Sequence, residues 1–178
     1  MINETEKKER IQAIFIDRDG TIGEADKDLD PHHFVTYPNF YSALGLLKAN
    51  DVKIFAFTNQ PDIARGLVHE KLMIQQYTSW GFDHAYICPH TDEMKCACRK
   101  PLPGMLLQAT RTYGLDLAKC AVIGDSWKDI IAGDTVGCIK ILVKTGDGQN
   151  IQEQIQDVII HYHANDFFDG VNWVVKNI

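Results

Sequence analysis

Six short apolar runs alternate with amphipathic stretches along this chain, and that alternation leaves few folds open. The runs span 13–16, 53–57, 84–88, 121–123, 140–143 and 158–162. Rich in β-branched and aromatic residues and flanked by turn formers, they read as buried strands. Between them the pattern predicts helices over 38–49, 62–79, 103–113, 127–136 and 165–177. Pro38 and Pro103 suit a first helical turn, and Gly114 and Gly137 mark two helix ends. Strand alternating with helix gives an α/β fold, a doubly wound and mostly parallel sheet with helices on both faces. With 178 residues and no repeat or linker, 1–178 reads as a single domain.

Composition narrows the function classes. A hydrophobic fraction of 45% and a charged fraction of 24% are those of an ordinary soluble globular chain. No apolar run reaches the roughly 18 residues of a membrane span. The polar opening 1–12 lacks the apolar centre of a secretory signal, so a cytoplasmic protein is expected. The net charge of −6, without a basic stripe, argues against a nucleic-acid partner. A phosphorylated small molecule stays compatible with it, because a metal and one or two cations reverse the field locally. Three of the five cysteines, Cys88, Cys96 and Cys98, crowd together with His90. In a cytoplasmic chain such a cluster points to metal rather than disulfides.

In a doubly wound sheet, ligands gather beyond the carboxyl ends of the strands. The first run ends in Asp17-Arg18-Asp19-Gly20-Thr21, the second in Thr58-Asn59-Gln60 and the fourth in Gly124-Asp125-Ser126. Arg99-Lys100 follows the cysteine cluster. Asp17 and Asp19, two apart, would share one side of an extended strand end. Crowded carboxylates repel and need a cation or a shared proton, and Gly20 lets the chain turn away and leave them accessible. Asp125 adds a third acid, giving an oxygen-rich set suited to magnesium. One aspartate of the pair can attack phosphorus and form an acyl phosphate. The other can protonate the departing alkoxide and then deprotonate water. Thr58 and the amides after it can cradle phosphoryl oxygens, and Lys100 supplies positive charge for the transferring group. No GxSxG elbow offers a serine instead.

Cys88-Pro89-His90, five residues, then Cys96-Ala97-Cys98 place three thiolates and an imidazole in one loop, 88–98. That donor set matches a closed tetrahedral zinc site, structural rather than catalytic because no position is left for water. Such a site would fix an irregular loop and thereby anchor Arg99 and Lys100. Cys120 and Cys138 border strands and read as core residues.

Together these motifs resemble those of the haloacid-dehalogenase (HAD) superfamily of aspartate-nucleophile phosphatases: DxDGT, a strand-two Thr, a Lys, and GDxxxD at Gly124, Asp125 and Asp129. Within subfamily IIIA, the strings DRDGT, TNQxxIARG, CPH…CxCRKPxPGMLL and IGD are similar to the D-glycero-D-manno-heptose 1,7-bisphosphate phosphatase and histidinol-phosphatase family. The similarity runs from about residue 14 to residue 146. The resemblance implies Asp17 as nucleophile and Asp19 as acid and base, with Asp17, Asp19 and Asp125 around Mg2+. It implies that Thr58 and Lys100 steady the phosphoryl group, while Asn59, Gln60 and Arg99 bind substrate.

Between Asp19 and Thr58 there is room for a loop and a helix, and between Gln60 and Arg99 for a helix, a strand and the metal loop. An open, capless site is therefore expected. Pro61 and Asp62 replace the small residues usual after TNQ, Ser126 stands where the heptose enzymes carry lysine, and 24–33 is unlike their substrate loop. The ester thus stays open between a sugar phosphate or bisphosphate, histidinol phosphate and other small phosphate esters. A phospho-aspartate receiver shares the sheet and the metal but needs neither Asp19 nor a zinc loop. A zinc-stapled binding module would not need the acids at all. The expected partner is a small phosphorylated metabolite, acted on by a monomer with no nucleic-acid or membrane partner.

Overall fold

The computed structural model describes residues 10–25 and 30–177, so 26–29 of the segment 24–33 and most of the polar opening lie outside the described residues. Six strands form one parallel sheet: β1 (Ala13–Ile16), β4 (Lys53–Asn59), β5 (His84–Cys88), β6 (Cys120–Gly124), β7 (Ile139–Val143) and β8 (Tyr162–Ala164). Their order is β5-β4-β1-β6-β7-β8. Between β1 and the first helix lies a small antiparallel ribbon of β2 (Gly23–Glu24) and β3 (Val35–Thr36), with a 3-10 turn at Pro31–His33.

The central strands alternate faces. Ile14, Ile16, Ile54, Ala56, Ala121 and Ile123 look to one side, where α1 (Phe40–Ala49), α2 (Glu70–Trp80) and α5 (Phe167–Lys176) cover them. Ala13, Phe15, Phe55, Phe57, Cys120 and Val122 look to the other, under α3 (Gly104–Tyr113) and α4 (Trp127–Thr135). A parallel strand buried on both faces must be apolar throughout, and all four residues of β1 are buried. Cys120 and Cys138 lie in this core, as expected of small apolar side chains.

Two elements depart from the sequence reading. The helix expected over 62–79 begins only at Glu70, because Pro61 through His69 form turns, with Gly66 at φ +72. The last strand is Tyr162–Ala164 rather than 158–162. Val158 and Ile160 pack against the apolar cluster of Ile130, Leu142 and Ile151, so this run is apolar for packing and not for pairing.

Candidate active site

From β1 the chain builds outward to β4 and β5, then returns to β6 on the other side of β1. The crevice between β1 and β6 is therefore the switch point of the sheet, where such folds bind ligands. Asp17 follows β1 there, its amide donating to Ile123 O at 3.0 Å, and Asp125 follows β6. Oxygens of Asp17, Asp125 and Asp129 all lie within 4.8 Å of one another. Asp129 reaches the cluster from the first turn of α4, where a capping box with Ser126 holds its second oxygen.

Lys100 enters this acidic cluster almost fully buried. Its ammonium is 2.8 Å from Asp17 Oδ1 and 2.5 Å from Asp129 Oδ1, and it donates to Phe57 O at 2.7 Å. All three of its protons are thus engaged. Burial works against the charge on Lys100, but Asp129 and Asp17 outweigh it and raise its pKa. Burial and the charge of Asp17 push Asp125 up to about 6. Three carboxylates facing one ammonium leave two negative charges, which one divalent cation would balance.

Asp125 is gripped from two sides: Thr21 Oγ1 donates to Oδ1 at 3.1 Å and the Asp147 amide to Oδ2 at 2.9 Å. Backbone crowds it as well. A Cβ on Gly20 would stand 2.2 Å from Asp125 Oδ2, and one on Gly146 2.1 Å, so both positions exclude a side chain.

The carboxylate of Asp19 stands outside this cluster. The chain turns right after Asp17, with the amides of Thr21 and Ile22 donating to Arg18 O, so the extended spacing assumed from sequence does not hold. Asp19 instead accepts from Gln60 Nε2 at 2.7 Å and from Arg18 at 3.0 Å. Nearly half of its side chain, 46%, reaches solvent. Burial of its remaining surface still raises its pKa above the ordinary value, against the pull of Arg18. Gln60 Nε2 also donates to Thr58 Oγ1 at 2.9 Å, joining the acid to the buried threonine.

Sequence reasoning missed Arg18, although a cation between two acids was a signal. Its buried guanidinium stacks 3.7 Å from the centre of the Phe34 ring and donates to Gln76 Oε1 at 3.1 Å. Gln76 in turn donates to Pro31 O, so this network fastens 31–34 beside Asp19. Asn59, expected to touch substrate, has both ends of its amide on the backbone of Lys100: Nδ2 donates to Lys100 O, and Oδ1 accepts from Lys100 N. It clamps the lysine and also lines the cavity that opens beside Asp19.

In the metal loop, the sulfurs of Cys88, Cys96 and Cys98 are 3.4–3.6 Å apart, and His90 Nδ1 is 3.3 Å from Cys98 Sγ. Tetrahedral zinc with Zn–S bonds of about 2.3 Å would set its ligands about 3.8 Å apart, so the four atoms fit one ion. Burial and neighbouring thiols push Cys98 up to about 12, and only a cation would make three thiolates stable this close. Arg99 leaves the loop toward Asp92, with Nε 2.5 Å from Oδ1 and Nη2 3.4 Å from Oδ2, while Nη1 donates to His90 O. The Arg99 hydrogen bond, and then the charges of Arg99, Lys128 and Arg65, hold Asp92 below the usual carboxylate range.

A cavity of about 220 Å3 opens beside the acid, lined by Arg18, Asp19, Gln60, Pro61, Asp62 and Met73. Pro61 and Asp62, two departures from the family pattern, are thus part of its wall. A larger cavity of about 540 Å3 involves Gln12, Lys53 and Leu115 at the amino ends of the strands, away from every acid described above.

Fold and site together define a HAD-type hydrolase, and a family model described as HAD-hydrolase-like matches residues 97–169. The D-glycero-β-D-manno-heptose-1,7-bisphosphate 7-phosphatase of Bordetella bronchiseptica is 35% identical over 81% of this chain and 87% of its own. That of Photorhabdus laumondii is 35% identical over 87% of this chain and 93% of its own. The crystal structure of the B. bronchiseptica D,D-heptose 1,7-bisphosphate phosphatase, complexed with magnesium and phosphate, superposes with a TM-score of 0.82 at 29% identity, covering 94% of this chain and 99% of that one. The chain belongs to the heptose-bisphosphate phosphatase family of HAD phosphomonoesterases, which work with Mg2+.

Proposed function

We propose that this chain removes one phosphate from a sugar bisphosphate, D-glycero-D-manno-heptose 1,7-bisphosphate being the first candidate, through a phosphoryl group held on Asp17. One observation carries the reading: Asp17 and Asp125 meet at the sheet's switch point, with Lys100 Nζ 2.8 Å from Asp17. Lys100 ties down Asp17 Oδ1 and leaves the other oxygen to attack phosphorus. Asp19, its pKa raised, is suited to protonate the leaving alkoxide and then take a proton from water, while Gln60 and Arg18 hold it in place. Thr58 and the amides after it take phosphoryl oxygens, the cavity beside Asp19 takes the leaving sugar, and Arg99 contacts the remainder of the substrate.

Of the three acids expected around Mg2+, Asp17 and Asp125 would hold it through side-chain oxygens, while the carboxylate of Asp19 is turned to Gln60 and Arg18 and Asp129 serves as the partner of Lys100. When bound, the ion neutralises charge on the phosphoryl group. Cys88, His90, Cys96 and Cys98 would hold structural zinc, so that the 88–98 loop, inserted in a single catalytic domain, presents Arg99 and Lys100 in fixed positions. Thiolate ligation suits a reducing compartment, and we place the enzyme in the cytoplasm. Among the described residues no helix is long and apolar enough to cross a membrane.

Relatives include phosphatases named for either anomer of the heptose bisphosphate. The test is kcat/KM across both anomers, the heptose 7-phosphate and histidinol phosphate, with rapid-quench trapping of the phosphoryl enzyme. A heptose bisphosphate should lead, with label on Asp17. Steady hydrolysis with no trapped adduct would remove the covalent mechanism, and preference for another ester would remove the substrate.

A further inference from the structure

Each of three loops that bring a reacting-site residue to the sheet edge also brings a cation. Thr58 is followed by Arg65, Lys100 is preceded by Arg99, and Asp125 is followed by Lys128. One of these cations, Arg99, meets a carboxylate, Asp92 of the metal loop, with Nε 2.5 Å from Oδ1. Arg99 itself is fixed: its Nη1 donates to His90 O at 3.0 Å, and its side chain is only 13% accessible. Asp92 is 72% accessible and rides on a three-residue 3-10 turn, Asp92–Met94. If this pair opens, the acid moves and the cation stays.

We propose that Asp92 is a stand-in anion, which occupies the Arg99 fork until the phosphate that is not hydrolysed displaces it. This rests on the bisphosphate reading above. A guanidinium fork is matched by two oxygens of one anion. Asp92 meets that geometry unevenly, with one contact at 2.5 Å and the other at 3.4 Å. A phosphate group offers three oxygens and up to two charges where Asp92 offers two oxygens and one. With Asp92 swung out, the Arg99 fork is left to the incoming phosphate, while Arg65 keeps Asp62 at 2.9 Å. An ester with a single phosphate gains nothing from the exchange, so Asp92 raises the threshold for binding a second phosphate without touching the reacting one.

The test is Asp92→Asn, which keeps the shape and removes the charge. KM is measured for heptose 1,7-bisphosphate and heptose 7-phosphate at low and high salt, with zinc content checked alongside. For the bisphosphate, KM should fall about two- to fivefold at low salt, the range of an exposed ion pair, and the effect should fade as salt rises. KM for the monophosphate should not change. If wild type prefers the bisphosphate but the variant shifts both esters alike, neither of them, or the bisphosphate upward, Asp92 only braces the loop and the inference falls alone. If wild type shows no preference for the bisphosphate, the functional reading falls and takes this inference with it.

Discussion

Replacing Asp125 by asparagine removes one of the carboxylates proposed to hold Mg2+, yet it should stabilise the magnesium-free protein near neutral pH. The Asp125 side chain is 5% exposed, and burial with the charge of Asp17 raises its pKa from 3.8 to about 6. A shift of about two units corresponds to about 3 kcal/mol. The folded state holds this proton more tightly than the unfolded chain. The stability it contributes is therefore complete below about pH 4 and lost as pH rises through about 6. At about pH 7.5 the wild-type carboxylate is ionised in both states, and the folded state alone carries the penalty. Asparagine cannot ionise and escapes it. Its oxygen can accept from the Asp147 amide while its Nδ2 donates to Thr21 Oγ1, so both bonds are kept with the second reversed.

The balance is a gain of about 3 kcal/mol at about pH 7.5 and little difference near pH 4, so the two stability curves part as pH rises through about 6. Urea denaturation of protein dialysed free of magnesium without chelator, which spares the thiol cluster, measures both ends. Adding Mg2+ at neutral pH should raise wild-type stability strongly and the variant's much less, because a ligand stabilises only the state that binds it. A variant less stable than wild type by the same margin at every pH would refute the reasoning, since the raised pKa would then not arise at Asp125.

Asp17→Asn should abolish turnover while leaving the circular dichroism spectrum unchanged, and no phosphoryl enzyme should be trapped; normal activity would end the nucleophile assignment. Asp19→Asn should lower kcat about 10²–10⁴-fold for sugar esters but far less for 4-nitrophenyl phosphate, whose leaving group needs no proton. Equal losses on both would contradict a general acid. Cys98→Ser should reduce bound zinc to well below one per chain and raise KM more than it lowers kcat, because Arg99 and Lys100 lose their anchor. A zinc-poor variant with unchanged KM would show that the loop holds its shape unaided.

Where the chemistry gathers was legible because strand ends are legible. The runs at 13–16 and 84–88 match β1 and β5 residue for residue, and a parallel sheet carries its carboxyl ends to one edge, so Asp17, Thr58 and Asp125 had to approach one another. Two elements were misread where apolar character serves packing or where turns interrupt a helical pattern. Val158 and Ile160 are apolar because they pack on the cluster of Ile130, Leu142 and Ile151, and Pro61 with Gly66 delays α2 to Glu70.

What escaped is of another kind, the residues whose partners lie far along the chain. Asn59 clamps the backbone of Lys100 across 41 positions, and Arg18 reaches Gln76 across 58. A local pattern can say that Asn59 follows a strand, but not that its amide grips the backbone of Lys100. Asp129 was within reach, because GDxxxD places it four residues after Asp125, and Ser126 with Asp129 is the signature of a helix start. The same capping box that begins α4 turns Asp129 inward to Lys100, so the signal for a helix terminus was also the signal for the lysine's counter-charge. In this fold the two cannot be separated. Lys100 can stand buried beside Asp17 only because α4 begins where it does, and shifting that start would expose the lysine, strand Asp129 without its cation and release the oxygen of Asp17 that the ammonium holds.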